Sequence, residues 1–364
     1  MAGISSDVYE DLRKLVDSHI SGCPPAPEID EILRILFTPE EAAVSLGLGF
    51  KPATAEQVAA RLGTDAAEAR AHLEALADKG LVFARYKDGQ RGYAILPVMP
   101  GLFEFPFMKG VRNEELDRLA KLWQGYFPTL ASGFGAPGTS FSRIVPIQEE
   151  IDSRPGVLTY EKVYELIDKA KATGIANCAC RESQQACDAP RETCMLFDET
   201  CDFLVERGFA RYLSKDEMKA KLREFDEAGL VHQVNNSQDR LTFVCNCCPC
   251  CCGLLRTFTE FGNANVLTAS AYMPSVEAEL CTGCATCADE RCPMGAVEIV
   301  DEVASIEDER CIGCGLCVTG CPNQALTLER RREVPAPPET RAEMAVRILT
   351  SHDKLDDFMK LMNR

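Results

Sequence analysis

Hydrophobic positions between residues 28 and 97 follow a helical period first and a strand period afterwards. After a first apolar helical set, Thr54 precedes a run with Ala55, Val58, Ala59 and Leu62 on one face, closed by Gly63. Asp65 caps the next run, which carries Ala69, Leu73 and Leu76 inward until Gly80 stops it. LVFARY and GYAILP then alternate, joined at Asp88-Gly89, a hairpin turn signal. The pattern predicts three helices and a two-stranded hairpin. A similar order returns later: Ser214 caps a helix through Met218, Leu222 and Phe225 to Gly229, and LVHQV, an NNSQD turn and RLTFV form a second hairpin.

The first unit resembles a winged helix, and that resemblance implies DNA recognition through its second helix. The charges on that helix oppose the implication. Asp65, Glu68, Glu74 and Asp78 outweigh Arg70 and Lys79, so a phosphate backbone would be repelled. A structural or protein-docking role is the better expectation, because fold alone does not fix function.

Between the two units lie an aromatic stretch from Phe103 to Phe107, expected in the core, and a helix around Leu116 to Trp123. A Gly/Pro/Ser-rich link spans Ser132 to Pro146. Its GFGAPG matches the spacing of dinucleotide loops, but with no strand before it and no helix after it the phosphate mechanism lacks its frame, so no nicotinamide or flavin is expected. A helix follows from Tyr160 to Ala172. Beyond Arg332, PAPP reads as a stiff linker before two amphipathic helices, carrying Met344, Ile348 and Leu349, then Leu355, Phe358 and Leu361. They need a surface, on this chain or on a partner.

The expected class is α+β, in six segments: an N-terminal helix and link (1–27), a winged-helix-like domain (28–100), a helical connector and link (101–150), a cysteine-rich, iron–sulfur domain (151–274), a ferredoxin domain (275–332), and a linker with docking helices (333–364). A net charge of −17 argues against general attraction to nucleic acid or an anionic membrane. There is no run of about 18 uncharged apolar residues, so membrane insertion is not expected. Residues 1–20 lack the apolar core of an export signal, which points to the cytoplasm.

In a reducing compartment the twenty cysteines favour metal ligation over disulfides. Only Cys23 stands alone, and it reads as an unused thiol. Cys281, Cys284 and Cys287 form C-x-x-C-x-x-C, followed by Cys292-Pro293; Cys311, Cys314 and Cys317 repeat the spacing, followed by Cys321-Pro322. The region from Leu280 to Leu328 is similar to bacterial two-cluster ferredoxins, with AVEIV and ALTLE as the strands of that fold. The resemblance implies two [4Fe–4S] clusters with crossed ligation. One would be held by Cys281, Cys284, Cys287 and Cys321, the other by Cys311, Cys314, Cys317 and Cys292. One departure is the interval from Cys287 to Cys292, which holds four residues where the family has three. Gly283, Gly313 and Gly315 allow positive φ, bringing amides toward cluster sulfurs, and the acidic Glu279, Asp289 and Glu290 favour a low potential. Zinc would call for paired C-x-x-C units rather than runs ending in Cys-Pro.

Eleven more cysteines cluster upstream. Cys178, Cys180, Cys187, Cys194 and Cys201 form one set, with Arg181 directly after the C-x-C; Cys245, Cys247, Cys248, Cys250, Cys251 and Cys252 are packed into VCNCCPCCCG. Neighbouring side chains on an extended segment point to opposite sides, so this knot can supply two centres. GLLRTF reads as a helix start whose free N–H groups would stabilise an anionic cluster, with Arg181 as a counter-charge. One or two further [4Fe–4S] clusters are expected in preference to a zinc site with spare thiols. Cys251-Cys252-Gly253 resembles, in a single copy, the CCG motif of heterodisulfide-reductase catalytic subunits, which implies disulfide chemistry at a substrate-binding cluster. The four histidines, His19, His72, His232 and His352, are scattered and suit surface or structural roles.

The leading expectation is an electron-transfer subunit or adaptor of a larger cytoplasmic oxidoreductase, whose partners are redox proteins or oxidoreductase subunits. An iron–sulfur redox regulator binding DNA, and an enzyme with an open cluster site, are the alternatives.

Overall fold

The structure is a computed structural model that describes residues 7–152 and 156–364. Residues 1–6 and 153–155, at the start of the expected N-terminal segment and early in the cysteine-rich one, lie outside the described residues.

Side-chain caps set the boundaries of the N-terminal helices. Asp7 caps α1 (Val8–Asp17), and Pro27 opens α2 (Pro27–Leu36). Thr38 and Glu41 form a capping box on α3 (Pro39–Ser45), and Thr54 and Gln57 another on α4 (Ala55–Leu62). Asp65 caps α5 (Ala66–Lys79), and Gly80 ends it in the left-handed region at φ 75°. β1 (Val82–Lys87) and β2 (Gln90–Ile95) pair from Val82↔Ile95 to Lys87↔Gln90 across the Asp88-Gly89 turn. After α1, four helices (α2 to α5) therefore precede the hairpin where periodicity predicted three. The extra one, α3, is seven residues long, too short to declare a period.

The aromatic stretch lies in the core as expected. It enters α6 (Glu104–Met108), and Phe103 meets Trp123 edge-on at 5.3 Å and Phe127 at 5.0 Å. Both partners lie on α7 (Glu114–Ala131), which runs well past the expected Trp123 with Pro128 inside it. Burial of Leu119, Trp123, Tyr126, Phe127 and Leu130 carries it through.

The middle of the chain builds a seven-stranded sheet from β3 (Ser142–Ile144), β4 (Thr173–Asn177), β5 (Glu192–Phe197), β6 (Ala210–Tyr212), β7 (Val231–Asn235), β8 (Phe243–Cys247) and β9 (Leu267–Thr268). Their order is β6-β4-β5-β8-β7-β3-β9, antiparallel except for β3 beside β9. Helices α8 (Val163–Lys169), α9 (Ala179–Gln184), α10 (Asp198–Glu206), α11 (Lys215–Glu227) and α12 (Gly253–Thr259) connect and cover it. The second helix-plus-hairpin unit is present, but its strands are interior to this sheet. All five residues of β7 are buried, the polar His232, Gln233 and Asn235 included. The expected link from Ser132 to Pro146 contains β3, whose three buried residues are too few to alternate. The helix expected from Tyr160 to Ala172 shrinks to α8, because Thr173 already pairs in β4.

The C-terminal part contains two antiparallel pairs and two short helical segments, a π-helical turn at Cys287–Arg291 and α13 (Leu316–Thr319). β10 (Tyr272–Val276) pairs with the distant β13 (Leu326–Arg330), and β11 (Val297–Val300) with β12 (Val303–Ile306). Finally α14 (Arg341–Ser351) and α15 (Leu355–Met362) find their surface on this chain. Phe358 stacks on Phe50 at 5.1 Å, Lys354 pairs with Asp17 at 2.8 Å, and Arg364 donates to the Leu46 carbonyl. Among the described residues no helix is long and apolar enough to cross a membrane.

His19 packs edge-on against both Phe50 and Phe358, with its Nδ1 buried and without a partner. Burial lowers its pKa from 6.5 to about 4, so the folded chain keeps a neutral ring where the unfolded chain takes up a proton. Stability should therefore fall as pH drops from 6.5 towards about 4. Thermal melts of His19→Phe across that range should show a weaker pH dependence than the parent.

Candidate metal centres

The repeated cysteine motifs fold into two matching loops between the β10–β13 and β11–β12 pairs. Cys281, Cys284, Cys287 and Cys321 line one cavity; Cys292, Cys311, Cys314 and Cys317 line another. Each therefore gathers three thiols from one motif and one from the other. The pseudo-symmetry extends to the backbone: Ala296 N–H donates to Cys292 Sγ at 3.2 Å, and Ala325 N–H to Cys321 Sγ at 3.3 Å. Gly283, Gly313 and Gly315 all have positive φ, as the turns demand, and Ala285 takes φ 64° where the second motif has Gly315. An all-thiol quartet is the donor set that a [4Fe–4S] cluster requires.

The two cavities differ in exposure. Cys284 is exposed, and hydrogen bonds from Thr286, its amide first, lower its thiol pKa. In the second loop, burial raises Cys311 and Cys317 and pushes Cys314 up to about 12. Cys311 and Cys314 pack against the main core of the molecule. Three arginines encircle this second loop: Arg331 donates to the Cys311 carbonyl, Arg310 to the Met294 carbonyl and Arg291 to the Leu316 carbonyl. The sequence reading weighed the acidic neighbours and missed these cations, which come from outside the motif or from its enlarged interval. Arg291 sits in that interval, and its other N–H groups bond the Asp226 and Glu227 carbonyls at the end of α11.

The upstream cysteines divide into two groups. Cys178, Cys180, Cys194, Cys245, Cys247 and Cys252 line one apolar cavity with Met99, Phe105, Phe141 and Leu254. Neighbouring thiols shift one another's pKa in pairs: Cys178 and Cys180, Cys180 and Cys252, Cys252 and Cys247, Cys247 and Cys245, and Cys245 and Cys194. Across these pairs Cys178, Cys245 and Cys252 are held below the usual thiol range by their neighbours, and Cys180, Cys194 and Cys247 are raised. The amides of Leu254 and Leu255, in the first turn of α12, also favour the Cys252 thiolate. Glu104 closes the cavity. Burial pushes its carboxyl up to about 8, although it accepts the Gly101 amide at 2.8 Å.

The second group is Cys187, Cys248, Cys250 and Cys251, whose sulfurs all lie within 4.8 Å of one another. Arg181 stands between the groups. It is fully buried, and its field reaches Cys178, Cys180, Cys247 and Cys248. One Nη donates to Thr193 Oγ1 and the Asn246 carbonyl, while Nε and the other Nη have no protein partner. Cys201 joins neither group. It is buried in α10 against the backbone of Gly174, and burial pushes its thiol up to about 12. Cys23 is also buried, beneath Tyr126. Of the histidines only His232 nears the knot, with Nδ1 2.6 Å from Asn246 Oδ1.

Residues 273–322 match the family of the 4Fe-4S dicluster domain. No curated protein matches the chain. The C-terminal segment is thus a ferredoxin-like iron–sulfur domain, and the chain has an iron–sulfur electron-transfer role.

A side chain at Gly313 would collide with the Tyr272 carbonyl oxygen at φ +66°, whereas nothing lies within 4 Å of the Cβ position at Gly138. Gly313→Ala should therefore lower iron bound per chain, and Gly138→Ala should leave it unchanged, as read by iron and protein assay.

Proposed function

We propose that this protein is an electron-transfer subunit in which a solvent-near cluster passes electrons through a buried one to a third iron–sulfur centre in the middle domain. The observation that carries the reading is that two of the three thiol sets share one hydrophobic core: Cys314 packs against the core that contains Cys247 and Cys252 of the six-thiol cavity, while Cys284 of the first set is exposed. In this reading Cys281, Cys284, Cys287 and Cys321 hold the first [4Fe–4S] cluster, and Cys311, Cys314, Cys317 and Cys292 the second. Ligands for the third centre come from Cys178, Cys180, Cys194, Cys245, Cys247 and Cys252. Such clusters, when bound, supply one-electron chemistry.

The chain's own charges give the path a direction. Glu279, Asp289 and Glu290 rim the first loop and suit a redox partner with a basic face. Around the second loop Arg291, Arg310 and Arg331 would favour an added electron, and Arg181 does the same at the third set. The partner subunits then belong to a larger oxidoreductase. DNA binding gains no support from α5, whose Glu74 and Asp78 bind Arg207 of the middle domain.

The apolar cavity beside the six thiols supports a second reading, an enzyme that reduces a small apolar substrate there. An EPR change at the third centre on adding substrate separates it from a plain relay.

Two cubanes account for about eight irons per chain, so anaerobically purified protein should exceed that. Cys180→Ser and Cys247→Ser should remove only the excess, because serine lacks the soft donor iron prefers. Iron that stays near eight in the parent would eliminate the third centre.

Cys321→Ala should abolish the EPR signal of the cluster held mainly by the first motif. Loss confined to the other signal would overturn the crossed ligation. Arg331→Gln removes a positive charge beside Cys311, so the second cluster should become harder to reduce, by roughly tens of millivolts in a redox titration.

A further inference from the structure

We infer that Cys187, Cys248, Cys250 and Cys251 bind a single tetrahedral zinc ion, separate from every iron–sulfur centre. The argument is one of size. A zinc ion holds sulfur at about 2.3 Å, which fixes the sulfurs of a regular tetrahedron about 3.8 Å apart. Cys187 lies 3.7 Å from Cys248 and 3.8 Å from Cys251, and Cys250 lies 3.8 Å from Cys251. A cubane sets its four thiolates much wider, roughly 6 Å apart, because the iron–sulfide core stands between them. Among the described residues no other group of cysteines, histidines or carboxylates gathers three or more ligand atoms so closely, the two ferredoxin quartets included.

The local backbone explains how the site forms. Cys252 N–H donates to the Cys248 carbonyl at 3.1 Å, closing one tight turn that presents Cys248, Cys250 and Cys251 together. Cys187 arrives from the loop after α9, where Gln185 takes φ 52°, and Arg191 holds that loop by donating to the carbonyls of Arg181 and Cys187. Four thiolates around Zn²⁺ carry a net double negative charge. Buried Arg181, whose field reaches Cys248, offsets part of it.

A closed four-thiolate zinc site leaves no open position for substrate, so its task is structural. It pins the β8–α12 turn, and with it Cys247 and Cys252, the residues on either side that face the six-thiol cavity. The inference does not depend on what that cavity holds.

The test uses the full-length protein, expressed with both iron and zinc in the medium and purified anaerobically. Elemental analysis should give one zinc per chain, and zinc-edge X-ray absorption a single shell of four sulfurs at about 2.3 Å. Cys250 is exposed, so Cys250→Ser is the least disruptive variant; it and Cys187→Ser should lose the zinc and keep the parent's iron. In cobalt-grown protein an intense tetrahedral cobalt–thiolate spectrum should appear and be lost in either variant. Zinc-free parent protein, with either variant losing about four irons, would assign these cysteines to a cubane and overturn the inference. A mononuclear iron–thiolate spectrum would overturn it equally. If both variants failed to fold, the absorption edge of the unaltered protein would still decide between four sulfurs and any other shell. Failure of the third iron centre would show as iron near eight per chain with zinc still present, so the two ideas fail separately.

Discussion

Ten thiols converge on the end of one strand and the helix after it, and Arg181 is the buried cation against which their charge is set. A buried charge without a partner is strongly unfavourable, and so is a group of thiolates without a cation. Each therefore requires the other. Nε and one Nη of Arg181 have no protein acceptor, and the amides of Leu254 and Leu255 at the start of α12 favour the Cys252 thiolate. The seven-stranded sheet serves this arrangement by delivering Cys245 and Cys247 from β8 and Cys194 from β5 to one cavity. The polar residues buried on these strands position the arginine: Asn246 gives it a carbonyl acceptor, and the Asn246 side chain in turn binds Thr193 and His232.

A single substitution of loop length couples the ferredoxin segment to this interior. Arg291 occupies the enlarged interval between Cys287 and Cys292 and binds two carbonyls at the end of α11. Both carbonyls lie in the last turn of α11, and although Asp226 already accepts the Gly229 amide, the contact adds a fixed cation at the favourable end of the helix dipole. The same side chain bonds the Leu316 carbonyl within the second cysteine loop. One residue thus joins the ferredoxin-like segment to the middle of the chain.

Much of this was legible from the chain. Caps at Thr54, Asp65 and Ser214 and the Asp88-Gly89 turn fall where the hydrophobic period changes, because each satisfies a specific backbone requirement. The ferredoxin domain was legible because its ligands follow one another within short loops. The three-residue β3 and the seven-residue α3 escaped because periodicity needs length. β7 runs one residue into the expected NNSQD turn, and its polar His232, Gln233 and Asn235 are buried and make their hydrogen bonds inside the molecule. The division of the knot was only half visible. Alternation implied two sides, but which thiols shared a side depended on the tight turn at Cys248 and on the arrival of Cys187 from far along the chain. Cys201 looked like a member of the set by spacing and proved to be a core residue of α10.

The docking of α14 and α15 bears on how freely the ferredoxin-like segment moves. β10 enters the ferredoxin segment directly from the central sheet, and the chain leaving it returns to clasp Gly49, Phe50 and Asp17. The segment is therefore moored at both ends, with Arg291 as a third anchor between them. It is not a carrier on a tether that must diffuse between donor and acceptor. In the proposed relay, electron passage inside the protein would be a matter of tunnelling across a constant gap, and solvent viscosity would act only on the encounter with a redox partner.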